Sequence, residues 1–132
     1  LLNRGDSVVG FVRKSSNLDR LSNCNIEYAY GDITDRVSLT EAMRGVDVVF
    51  HTAAYVELGI VNAAEMERVN VEGTPAVLEA AKAANVPKMI YCSTIGIFGD
   101  TQGKVINETF QRTQKEFSSA YDRTKYQAQQ LV

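Results

Sequence analysis

Tyr121 and Lys125 stand four residues apart in SSAYDRTKYQAQQLV. On a helix that spacing puts both side chains on one face, a turn apart. A phenol with a pKa near 10 is a poor base at neutral pH, and an ammonium within about 4–6 Å favours the phenolate and lowers that value. The pair then suits proton exchange with a hydroxyl group. It also suits a plain solvated helix face. Six tyrosines and six lysines in 132 residues give about 0.3 such spacings by chance, so the pair needs a context.

Other polar residues close apolar runs, where a ligand could sit. Arg13, Lys14, Ser15 and Ser16 end VVGFVRKSS. At a strand tip of a dinucleotide fold, an acidic residue takes the adenosine ribose and an Arg accommodates a 2′-phosphate. This set favours NADP(H), or is a solvated basic turn. Asp32 in GDI can accept from an adenine amino group or bond its own backbone in a helix-leading turn, and the two are compatible. Ala53 and Ala54, in HTAAY, would let the backbone approach a ligand closely. His51, the single histidine, ends an apolar run and reads as a packed, hydrogen-bonded residue rather than a catalyst. Ser93 and Thr94, in YCSTIGIFG, offer hydroxyls to a substrate oxygen, although both are ordinary turn residues too.

The elements that position these residues alternate. Apolar runs over residues 7–13 (SVVGFVR), 46–51 (VDVVFH) and 87–92 (PKMIYC) predict strands covered on both faces, and 26–30 (IEYAY) predicts an edge strand. TDRVSLTEAMRG predicts a helix capped by Thr34 or Asp35 and stopped at Gly45. Residues 63–85 predict a longer alanine-rich helix, with a kink or restart at Pro75, and the last helix runs from about Ser118 to the end. Strand–helix alternation implies an α/β class with a parallel sheet. Ligands of such sheets bind beyond the carboxyl ends of the strands, where the residues above fall.

Composition narrows the partners. The net charge is −2 with both signs interspersed, which argues against nucleic acid or an anionic membrane as the main partner. No apolar stretch approaches the roughly 18–20 residues of a membrane span. Cys24 and Cys92 suggest neither a disulfide framework nor a metal knuckle. A reduced, cytoplasmic setting is the expectation.

The ordered motifs VRKSS, GDITD, VFHTAA, RVNVEGT, IYCSTIGIFG and YDRTK resemble the NAD(P)-dependent epimerase/dehydratase family of extended short-chain dehydrogenases/reductases, with its dihydroflavonol-reductase and 3β-hydroxysteroid-dehydrogenase-like branch. The resemblance spans essentially the whole chain and implies a Rossmann-like, doubly wound parallel sheet. It implies Tyr121 as catalytic acid/base and Lys125 as its partner, also bonding the nicotinamide ribose. Thr94, with Ser93 as the adjacent alternative, would hold the reacting oxygen, and Asn70 would be the structural or proton-relay asparagine. Asp32 and Ile33 would contact adenine, and Ala53, Ala54 and Tyr55 would form the loop over ribose and pyrophosphate. Arg13 falls at the NADP-selecting position of the reductase branch, so NADP is favoured over NAD. The implied substrate is a nucleotide sugar or a ketone/alcohol, and a homodimer through the last helix is possible in such proteins.

The family's glycine-rich phosphate loop and first strand would precede Leu1, and a substrate domain would follow Val132. The expectation is therefore a fragment, marginally stable and inactive alone, of a parent enzyme. A dehydratase is disfavoured, because Ile95 and Gly96 offer no acid beside Thr94. The competing readings are an NADP(H)-sensing regulator on the same fold, which would typically lack the Tyr/Lys pair, and an interaction module using the Gln127–Val132 end.

Overall fold

The structure is a computed structural model that describes residues 1–56 and 62–132. The four apolar runs become four short parallel strands: β1 (Val9–Val12), β2 (Glu27–Tyr30), β3 (Val48–His51) and β4 (Lys88–Tyr91). β1 pairs with β2 and β3 with β4, giving two two-stranded parallel sheets. The strands are shorter than the runs because their ends leave the ladder for turns. At the end of β1, for example, the Ser16 N–H donates to the Arg13 carbonyl at 2.9 Å.

Between the strands, α1 (Arg36–Ala42) is capped by Asp35, whose carboxylate accepts from the Val37 and Ser38 N–H groups. The chain leaves its C-terminal end through Gly45 at φ 73°, a left-handed conformation that costs glycine little. The alanine-rich stretch forms α2 (Ala63–Glu67), a π-helical turn (Arg68–Glu72) and α3 (Gly73–Ala83). The break precedes Pro75 instead of falling on it. Pro75 is the third residue of α3, and its missing amide removes one donor from a helix that runs on directly from the π-helical turn. The wide turn absorbs the irregularity one step earlier.

The core lies between α1 and α3. Leu39, Met43, Ala76, Val77, Ala80 and Ala81 are buried together, with Phe11, Val49 and Met89 packed against them from the strands. Alanines on α3 let the two helices approach closely, while the larger strand residues fill the rest. On the opposite face the cross-strand partners Phe50 and Ile90 stay 46% and 40% exposed. Apolar residues on both faces of these strands match a sheet built for two covering layers.

The last helix, α4 (Ala120–Gln129), starts two residues later than the sequence suggested, because Ser119 is extended and serves as cap, accepting from the Asp122 N–H at 3.0 Å. Its first turn leans on the tight turn Ile95–Phe98 that follows β4. This approach requires Gly96, since a Cβ there would stand 2.0 Å from the Asp122 carboxylate.

Candidate active site

At the tip of β4 the chain runs Cys92, Ser93, Thr94. Lys125 of α4, only 3% exposed, donates from Nζ to the Cys92 carbonyl at 2.8 Å. Its ammonium also lies 4.3 Å from the centre of the Tyr91 ring. These two contacts compensate for a buried charge, and burial still pushes the Lys125 pKa below its ordinary value. Tyr121 lies one turn earlier on α4, half-buried. Its hydroxyl has no hydrogen-bond partner among the described residues. Thr94 caps the tight turn, its Oγ1 accepting from the Gly96 N–H at 3.3 Å. Ser93 Oγ is buried without a partner among the described residues.

One expectation is overturned. Lys125 was expected to lower the Tyr121 pKa, but the phenol is raised, first by burial and then by Cys92 and Asp122. The ammonium is committed to the Cys92 carbonyl and the Tyr91 face, so burial and the acidic neighbours decide the phenol's state. Tyr121 is therefore a neutral phenol at pH 7.

Asn70 holds the far side of α4. From the π-helical turn its Oδ1 accepts from the Tyr55 N–H at 2.7 Å. Its Nδ2 donates to the Tyr55 carbonyl at 3.1 Å and to Thr124 Oγ1 at 3.0 Å. Thr124, fully buried, donates in turn to the Tyr121 carbonyl at 3.0 Å. Asn70 thus links the loop after β3 to the backbone of Tyr121.

His51 is packed, as its place at the end of an apolar strand suggested. Thr74 Oγ1 donates to the Asn70 carbonyl at 2.8 Å, so its lone pair accepts from His51 Nε2 at 3.2 Å. Burial, aided by the Lys125 charge, lowers the His51 pKa from 6.5 to about 4. The sign follows from linkage: between these values the unfolded chain binds a proton that the folded chain excludes, so stability falls as pH drops through 6.5 and levels off below about 4. Denaturant titrations at pH 7 and pH 5 should differ by about 2 kcal/mol from this residue, and His51→Gln should remove that difference.

Tyr91 gives a second prediction. Tyr91→Phe retains the π face under Lys125 and should leave activity within about twofold. Tyr91→Leu removes that face, which is worth up to about 2 kcal/mol when desolvated. It should lower the Lys125 pKa further and cut kcat about tenfold, read from the pH–rate profiles of the two variants.

The other predicted residues gather at the carboxyl ends of β1, β2 and β3. Arg13 and Lys14 are exposed after β1, and the Arg13 N–H donates to Ser16 Oγ at 3.1 Å. The Asp32 carboxylate does close a local turn, accepting from the Thr34 N–H and Oγ1 at 3.0 and 2.8 Å. It also pairs with Arg68 at 2.7 Å. That guanidinium, with the Thr34 donors, holds the Asp32 carboxyl well below the usual carboxylate range. The Ile33 side chain packs on Gly73, where a Cβ would meet it at 3.0 Å, and stays only partly buried. After β3, Ala53 is exposed and Ala54 half-buried, and the Tyr55 backbone is tied to Asn70. Arg68, Tyr91 and Thr124 were not singled out from sequence. Arg68 meets Asp32 across 36 positions, and no local pattern signals such a pairing.

The chain is similar to known proteins over nearly its whole length. "Sterol demethylase protein B" of Methylococcus capsulatus is 35% identical over 95% of this chain and 38% of its own length. The crystal structure of gox2253 is 34% identical with a TM-score of 0.88, over 98% of this chain and 39% of that one. A short-chain dehydrogenase/reductase superfamily protein from Agrobacterium tumefaciens with bound NAD is 28% identical, with a TM-score of 0.78, over 99% of this chain and 38% of that one. The chain thus spans about two-fifths of the length of these relatives. The fold is accordingly Rossmann-like. Residues 6–132 match the family model for 3-beta hydroxysteroid dehydrogenase/isomerase, and the chain belongs to that family.

Proposed function

We propose that this chain carries the dinucleotide groove and proton-transfer residues of an NAD(P)-dependent oxidoreductase or epimerase acting at a secondary alcohol or ketone. The observation that carries the reading is Lys125, a buried ammonium held on the Cys92 carbonyl at 2.8 Å, one turn from a Tyr121 hydroxyl that no described residue engages. A buried cation is costly without a purpose for it. The residues present fit a dinucleotide: small side chains at Ala53 and Ala54, an ionised Asp32, and Ser93 Oγ buried without a partner. Arg13 and Lys14 favour NADP over NAD. The relative with bound NAD supports the cofactor class.

When bound, the nicotinamide supplies the exchange of two electrons with the substrate carbon. Tyr121, protonated at neutral pH, donates its proton to a ketone oxygen as the carbonyl is reduced, and takes it back in the reverse direction. Thr94 holds that oxygen, with Ser93 beside it. Lys125 fixes the groove next to the nicotinamide ribose, and Asn70 keeps Tyr121 in place through Thr124. A phenol held above its ordinary pKa stays protonated at neutral pH, the state that ketone reduction needs, and the proposed substrate class is a small ketone/alcohol or a nucleotide sugar. Fluorescence titration of the full chain with NADH and NADPH tests the reading. Saturable binding, tighter for NADPH, is expected, and no binding of either would sink it.

A further inference from the structure

Arg68 lies in the π-helical turn and divides its guanidinium between two carboxylates from different elements. Nη1 donates to Asp32 Oδ1 at 2.7 Å and Nη2 to Asp32 Oδ2 at 3.2 Å. Nε and Nη2 donate to Glu65 Oε2 and Oε1 at 2.9 and 2.8 Å. Nη1 also reaches Thr34 Oγ1 at 3.1 Å. A planar fork engaged along two edges has little rotational freedom.

The consequence falls on Asp32. Its Oδ1 accepts from three donors, the Thr34 N–H, Thr34 Oγ1 and Arg68 Nη1. Its Oδ2 accepts from Arg68 Nη2 alone among the described residues. A carboxylate oxygen commonly takes two hydrogen bonds, so Oδ2 keeps one acceptor site, in a direction fixed by the pairing. Asp32 lies beyond the carboxyl end of β2, on the edge where ligands of such sheets bind, and its side chain is 37% exposed. The Thr34 turn alone would fix one oxygen and leave the carboxylate free to pivot. Arg68 removes the pivot, and Glu65 keeps Arg68 from swinging away.

We propose that Arg68 is a positioning residue for the adenine end of the groove, orienting Asp32 Oδ2 as the acceptor for the purine's exocyclic amine. The proposal rests on the dinucleotide-binding reading above and deepens it by naming the residue that orients the carboxylate facing the base. The low Asp32 pKa imposed by the same guanidinium supports it, because the acceptor stays ionised through the neutral range.

The test compares two ligands in the full chain: whichever of NAD and NADP binds more tightly, and its hypoxanthine analogue, in which a carbonyl oxygen replaces the amine. The unaltered chain should prefer the adenine form about tenfold, the worth of one hydrogen bond to a charged acceptor. Arg68→Met should bring that ratio to about one, chiefly by weakening the adenine form, while Arg68→Lys should recover part of it. Should Arg68→Met fail to fold, Glu65→Gln, which loosens the guanidinium without removing it, should lower the ratio severalfold. A ratio unchanged in the variants overturns the proposal. So does an equal weakening of both ligands, which would make Arg68 merely structural, or an unaltered chain that does not discriminate. Binding of neither ligand by the unaltered chain would instead overturn the dinucleotide reading itself.

Discussion

Tyr121→Phe is expected to reduce turnover of the full chain by about 10²–10⁴-fold, with dinucleotide affinity changed less than about twofold. Phenylalanine keeps the ring and loses only the Tyr121 hydroxyl, which engages no described residue, so the fold loses no hydrogen bond among the described residues. Steady-state kinetics with a reducible ketone, alongside NADPH titration, measure the two quantities separately. A drop in affinity matching the drop in turnover would assign Tyr121 to binding alone. Unchanged turnover would remove the proton donor from the reading and favour a regulator that binds the dinucleotide without chemistry.

The proposed acid role also carries a pH dependence. Burial, Cys92 and Asp122 raise the Tyr121 pKa above its ordinary 10. Reduction that needs the protonated phenol should therefore hold constant through neutral pH and fall only in strongly alkaline solution. Asp122 accepts from Ser118 Oγ at 2.7 Å and lies against Gly96, so its carboxylate is held beside the phenol. Asp122→Asn should move the alkaline limb towards lower pH, because removing a neighbouring negative charge makes the phenolate less costly.

How far this arrangement was legible in the sequence varied with the range of the interaction. The four strands and the capped helix α1 followed from runs and caps of a few residues, which local chemistry dictates. The Tyr121–Lys125 spacing and the Ser93–Thr94 tip were visible for the same reason. The state of Tyr121 was not, because it depends on where a buried ammonium finds its acceptor, and that acceptor is a backbone carbonyl 33 residues away. A sequence displays side chains, and it does not display which carbonyl will face them. The pairing of Arg68 with Asp32 was hidden likewise, since RVNVEGT drew notice to Asn70 alone and the two partners lie 36 positions apart. Pro75 was visible, yet the break settled in the preceding π-helical turn, where Asn70 and Arg68 both gain partners.

On the proposed reading, Asn70 should affect both stability and turnover although it lies away from the Tyr121 hydroxyl. It is 3% exposed and makes three hydrogen bonds, two to the Tyr55 backbone and one to the fully buried Thr124. Each is worth about 1 kcal/mol net, but truncation leaves polar groups of Tyr55 and Thr124 short of a partner in a site too tight for easy repair. Asn70→Ala is therefore expected to cost about 3–4 kcal/mol, seen as a lower urea midpoint with an unchanged m-value. Asn70→Asp would keep the acceptor for the Tyr55 N–H, lose both donated bonds and bury a charge, so it should be no milder. Because Thr124 Oγ1 donates to the Tyr121 carbonyl, the loss should also loosen the first turn of α4. In Asn70→Ala molecules that remain folded, kcat should then fall about tenfold or more while dinucleotide affinity changes little, since a small misplacement of a proton donor is costly to the rate. Equal losses in kcat and in affinity would show instead that Asn70 supports the groove as a whole and has no particular hold on Tyr121.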